Sequence, residues 1–152
     1  MNKILFLSIL LLISCTEKKQ STTSPKENIE SEQKETIQSI EINNAGGQLG
    51  YVSTFRMIRD SIIFNSDMTA APNKKTALRK PLKKGEAEKI FEDLDLKDFN
   101  HAVEGQSKQP FDGIDNVITI QTQKKDYSKR NAPDNKTWMN ILQLESKYVD
   151  QP

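Results

Sequence analysis

The chain has one cysteine, one histidine and one tryptophan in 152 residues. A single cysteine excludes an intramolecular disulfide, so no covalent staple can substitute for a core. One histidine and one thiol also fall short of the donor set of a Cys/His zinc site. Neither sign of charge is in excess, since 22 Lys+Arg stand against 21 Asp+Glu for a formal net charge of +1. That balance removes the long-range field that nucleic-acid-binding proteins use, and no nucleic acid is expected as a partner. Long apolar runs are missing as well. The longest, Ile4 to Ile13, is broken only by Ser8 and covers ten residues, about half of what crosses a hydrocarbon core of roughly 30 Å.

What is present begins with that run. Lys3 supplies a cationic start, Ile4 to Ile13 an apolar segment, and Ser14 a small residue before Cys15, the layout of an export signal and not of a membrane span. Leu12-Ile13-Ser14-Cys15 resembles the lipobox of bacterial lipoproteins. The resemblance covers the first fifteen residues and implies lipidation at Cys15: the thiol receives a diacylglyceryl group, residues 1–14 are removed, and the new amino group is acylated. One acyl chain holds a protein marginally, at about 0.8 kcal/mol per buried CH₂, and two or more hold it durably. An ordinary secretory signal would instead leave Cys15 a free thiol in an oxidising compartment. Thr16 is not the aspartate that retains some lipoproteins in the inner membrane, so an outer-membrane destination is favoured, with the domain in the periplasm or at the cell surface.

Removing residues 1–14 takes away Lys3 and no acid, leaving 21 basic and 21 acidic side chains. Residues 15–36 then read as a lipidated cysteine and a tether. Ile29 is the one apolar residue from Thr16 to Thr36, too little to offset the entropy of ordering, so this stretch is expected to be disordered. As a coil it would span about 25 Å, and fully extended about 70 Å.

Residues 37–150 have the apolar content of one ordinary domain. Ile40 and Ile42 alternate with Ser39 and Glu41 over Ile37 to Asn43, a half-buried strand, and Asn43 to Gly47 reads as a turn. Leu49 to Ile58 alternates as a second strand, and Arg59-Asp60-Ser61 turns into a third from Ile62 to Asn65. Residues 66–82, with Pro72 and Pro81, lack periodicity and read as a long loop. Ala87, Ile90, Phe91 and Leu94 mark one stripe of a helix that should end between Asp95 and Asp98. His101 to Pro110 reads as loop, followed by a strand from Ile114 to Gln123 with Ile114, Ile118 and Ile120 on one face. Tyr127 to Lys129 returns as another strand, and Pro133-Asp134 opens a last helix with Asp134 as N-cap and Trp138, Ile141, Leu142, Tyr148 and Val149 buried.

The order β-β-β-α-β-β-α predicts an α+β fold, an antiparallel sheet with two helices on one face. Gly46-Gly47 before a long strand, a Glu-rich central helix and Asp112-Gly113-Ile114-Asp115 before an Ile/Thr strand resemble small uncharacterised envelope lipoproteins. That likeness implies no activity.

Few residues carry chemistry. Asp112 and Asp115 could face a cation, but Thr122 and Gln123 stand where an EF-hand needs its glutamate. His101 could act as a base, with Asp112 or Asp115, only in a hydrolase that shows no nucleophile pattern. Gly46-Gly47-x-x-Gly50 lacks the ending of a phosphate loop. Asp60-Ser61-Ile62 and Asn135-Lys136-Thr137 match short glycosylation triplets. Lys74, Lys75, Arg79, Lys80, Lys83 and Lys84 form the one basic run, a contact for an anion or an acidic partner. No catalytic set, metal or cofactor is expected. The leading expectation is a non-catalytic, membrane-anchored binding module for an envelope protein or surface polymer; the alternative is an inhibitor or immunity-type protein against a secreted enzyme.

Overall fold

The computed structural model of the chain describes residues 35–149, all within the unit Gln33–Pro152. The leader, Cys15 and most of the tether lie outside the described residues. Alternation in the sequence becomes a six-stranded antiparallel sheet of order β4-β3-β2-β1-β5-β6. Its strands are β1 (Ile37–Gly46), β2 (Tyr51–Met57), β3 (Ser61–Met68), β4 (Thr76–Pro81), β5 (Ile114–Thr122) and β6 (Asp126–Arg130).

β1 lies between β2 and β5, and its register writes the core. Ile42 opposes Phe55 on one side and Ile118 on the other, and Ile40 opposes Met57 and Ile120. Phe55 in turn faces Phe64, and Met57 faces Ile62. Two rows of apolar side chains therefore cross the sheet on one face, and most members are fully buried. Each such burial contributes about 1.5–3 kcal/mol. Strict alternation would turn Ile37 away from Ile40. A register shift between Ile37 and Ser39 brings Ile37 back to the buried face, as a bulge does.

Three helices cover that face: α1 (Glu86–Asp93), α2 (Leu96–His101) and α3 (Lys136–Val149). Ala87 and Phe91, Phe99, and Trp138, Ile141 and Tyr148 are their buried residues in the same core cluster. Tyr148 Oη donates to Glu86 at 2.7 Å and ties α3 to the start of α1. Burial, then the hydrogen bond to Glu86, pushes the Tyr148 hydroxyl up to about 12. Asp98 accepts from the Thr137 backbone N–H at 3.1 Å, joining α2 to α3. The opposite face of the sheet carries Ser39, Glu41, Asn43, Thr54, Arg56, Thr119 and Gln121, and Arg56 donates to Gln121 at 3.2 Å.

The fold class is α+β as expected, but several elements differ. The turn expected from Asn43 to Gly47 starts later, because Asn44 remains in β1, buried and donating to Ser53 at 2.9 Å. The turn is Gly47 to Gly50. Gly46 needs its missing side chain, since a Cβ there would meet the Gly113 carbonyl. Half of the expected loop over residues 66–82 is strand: β3 runs to Met68, and β4 adds an edge. β4 lacks the alternation of the inner strands because an edge strand needs little of it, while lysines and a terminal proline are common there.

The single central helix is two. Asp95 accepts from the Asp98 N–H at 2.9 Å and starts α2, which contains His101 and replaces the first part of the loop expected from His101. The last helix is capped by Asn135, whose side chain accepts from the Trp138 N–H at 2.8 Å, and not by Asp134. Ile114 does not join Ile118 and Ile120 in the core; it is exposed, while Asp115 beside it is buried.

Trp138 is 2% exposed, and its buried indole N–H has no acceptor among the described residues. Such an orphan donor costs about 1–3 kcal/mol. Trp138→Ala is expected to lower stability by about 3–5 kcal/mol. Trp138→Phe, which also deletes the orphan donor, is expected to cost less than about 2 kcal/mol. Urea denaturation of the three proteins measures the difference.

Candidate functional site

Polar groups converge at the end of the sheet where β1 turns into β2. Asp115, 6% exposed at the start of β5, sits at the centre. Its carboxylate accepts from Ser107 Oγ at 2.6 Å, the Lys108 N–H at 2.7 Å and Asn131 Nδ2 at 2.7 Å. These donors, Ser107 foremost, stabilise the ionised form and hold the carboxyl down at about 2. Asn131 adopts a positive φ of 47 and also donates to the Gln106 carbonyl at 2.9 Å, while its side-chain oxygen accepts from the Asn116 N–H at 3.0 Å. One carboxylate and one amide thus fasten the loop before β5 to the segment leaving β6.

The loop has little freedom beyond those bonds. A 3-10 turn at Gln109–Phe111 is followed by Asp112 in the left-handed region, with φ 57. The Gly113 N–H donates to the Lys108 carbonyl at 2.9 Å, and the Gly47 N–H to the Gly113 carbonyl at 3.1 Å. Gln48 Nε2 donates to Asp112 at 3.2 Å, and Gln109 Nε2 to the Ala45 carbonyl at 3.2 Å. Phe111 stands at the outer end of this lattice, 85% exposed.

The residues singled out from sequence meet different fates. Asp112 and Asp115 do not form a cation site: Asp115 is occupied by donors, Asp112 accepts from Gln48, and no group of three potential ligands exists among the described residues. His101 ends α2, exposed, with Nδ1 2.7 Å from the Lys97 carbonyl. None of these hydrogen bonds links His101 to Asp112 or Asp115, the pair the hydrolase reading required. Ser61 of the first glycosylation triplet is buried and donates to Asp60 at 2.8 Å. Asn135 of the second caps α3 and donates to the Asp98 carbonyl at 3.0 Å.

The basic run is not one patch. Arg79 opposes Ile63 and Lys80 opposes Ile62, so successive cations of β4 point to opposite faces of the sheet. Lys75 pairs with Asp67 at 2.8 Å, and that hydrogen bond lowers the Asp67 pKa. Lys74, Lys83 and Lys84 are exposed before and after the strand.

Sequence reading found Asp112 and Asp115 but not Asn131 or Phe111. The signal for Asn131 was an asparagine in a break between elements, a residue that tolerates positive φ. Phe111 carried none, since an isolated phenylalanine in a loop has no period to betray which way it points. No protein-family model, curated protein or solved structure matches the chain.

The Asp115 carboxyl titrates lower in the folded chain, about 2, than its ordinary value of 3.8. Its stabilising effect is therefore complete above the ordinary value and is lost as pH falls through the folded one. Asp115→Asn is expected to melt at a lower temperature than the parent at neutral pH, with the gap closing between pH 3.8 and about 2. Thermal melts of both proteins across that range test it.

Proposed function

We propose that the chain is a lipid-anchored envelope lipoprotein whose α+β domain is a non-catalytic binding module. The observation that carries this reading is the ordered set of features from Lys3 to Cys15, with acylated Cys15 as the attachment to the bilayer. The outer membrane is the favoured location, and an envelope protein or surface polymer the favoured partner.

The acids whose titration is displaced serve the fold. The carboxyls of Asp67, Glu86, Asp98 and Asp115 are all lowered, the first by Lys75, the second by Tyr148, the third by Thr137 and the last by Ser107. These groups spend their charge on holding elements together.

A second reading, an inhibitor or immunity-type protein against a secreted enzyme, is favoured by one observation: the fastened loop that exposes Phe111. Rigid loops on small domains suit insertion into clefts, because little conformational freedom is lost on docking.

Cys15→Ala is expected to move the protein from the washed membrane fraction to the soluble fraction. Intact-mass measurement of the parent should give a chain beginning at residue 15 and carrying at least two acyl groups. An unlipidated mature chain, or a Cys15→Ala variant that stays with the membrane, would refute the anchor.

A further inference from the structure

The sheet ends in β4 on one side and β6 on the other, and the two edges are finished differently. On β6 the outward backbone of Arg130 is engaged: its carbonyl accepts from the Gly105 N–H at 3.1 Å, and its N–H donates to Glu104 at 2.8 Å. β4 has no such cover among the described residues. The Leu82 N–H donates to the Asp60 carbonyl at 2.8 Å, and in an antiparallel ladder alternate residues turn their backbone groups to the same neighbour. Lys80, Leu78 and Thr76, opposite Ile62, Phe64 and Ser66, therefore face β3, while Ala77, Arg79 and Pro81 face outward. Nothing among the described residues bonds to those outward groups. Ala77 and Arg79 each offer an N–H and a carbonyl, and Pro81 a carbonyl only.

We infer that β4 is a receiving edge for an extended acidic segment of a partner protein, which joins the sheet as a further strand. This deepens the binding-module reading and rests on it. Lysines and a proline on an edge keep unwanted strands away, but the sign of the charge decides which strands are turned back. Residues 74–84 hold six cations, Lys74, Lys75, Arg79, Lys80, Lys83 and Lys84, and no acid. The neighbouring acid of β3, Asp67, is paired with Lys75. A second copy of β4 laid alongside would set like charges against each other across the new pair, which is destabilising. A strand rich in glutamate or aspartate meets opposite charges there instead.

The way the cations divide favours a strand over a flat anionic surface. Arg79 lies on the open face of the sheet and Lys80 on the face that the helices cover, because their partners Ile63 and Ile62 do. A surface touching one face reaches only one of them. An added strand alternates its own side chains between the two faces, so successive acids on it stand beside Arg79 and then Lys80. Backbone chemistry selects a peptide over a polyphosphate. Phosphate oxygens can meet the cations, but they offer no donor to the carbonyls of Ala77, Arg79 and Pro81; another backbone supplies donors and acceptors alternately and in register.

The probe is a synthetic peptide of valine-glutamate-glutamate repeats, titrated into the detergent-solubilised full chain. The same peptide with every amide N-methylated, and polyphosphate, are the comparators. The plain peptide is expected to bind, less tightly as salt is added, and to slow hydrogen exchange at the Ala77 and Arg79 amides. N-methylation keeps every charge and blocks backbone pairing, and should weaken binding by about 10-fold or more. Polyphosphate should leave exchange at those two amides unchanged. Ala77→Pro deletes one outward donor without touching the ladder to β3 and should weaken binding by about 10-fold. Arg79→Glu combined with Lys80→Glu should abolish it, with the melting temperature kept. No binding, equal binding of the N-methylated peptide, unchanged exchange at Ala77 and Arg79, or a homodimer joined through β4 would overturn the inference. Fractionation of Cys15→Ala reads the anchor separately, so failure of the edge and failure of the lipoprotein reading are told apart.

Discussion

Everything in the domain depends on β1 having partners on both sides. Ile40 and Ile42 are fully buried because β2 and β5 align Met57, Phe55, Ile120 and Ile118 beside them. With no disulfide to tie the chain, these cross-strand rows and the helices laid over them supply its cohesion. β2 and β5 are far apart in sequence, so the central strand also makes the fold a long-range agreement. Local propensity would give hairpins; only the pairing of β1 with β5 joins the first four strands to the last two.

The same strand transmits order to its Gly46 end. β1 delivers Gly46 against the loop before β5, where a Cβ would meet the Gly113 carbonyl and only glycine lets the backbones approach so closely. Asp115 then extends this order outward by gathering donors from Ser107, Lys108 and Asn131. Burying a carboxylate is costly unless donors replace its water, and here three do. The polar cluster around Asp115 and Asn131 fixes the geometry of the loop before β5, and with it the outward position of Phe111.

How much of this could be read beforehand varies with how local the cause is. The strands around Ile40 and Ile42, around Phe55, and around Ile118 and Ile120 declared themselves by alternation, because a half-buried strand must alternate. The stripe of Trp138, Ile141 and Tyr148 declared α3 in the same way. β4 was silent because, with Thr76, Ala77 and Arg79 exposed, Leu78 is the one apolar residue it packs against the core, too few to make a pattern. The break between α1 and α2 was disguised, since Leu94 and Leu96 continue an apolar stretch across Asp95. Asp134 and Asn135 are both good caps, and the choice between them lay with Asp98, which engages Asn135 and Thr137 from another helix.

The sequence by itself determined the features that rest on adjacent residues: the inward faces of the main strands and the buried stripe of α3. These follow from composition and periodicity, which no distant contact can alter. Tertiary structure alone decided that Asp115 turns inward while Ile114 beside it faces water, that Arg79 and Lys80 part to opposite faces, and that Phe111 is held outward. Each outcome depends on partners tens of residues away, and the free energy that selects among such arrangements exists only when those partners have been brought together.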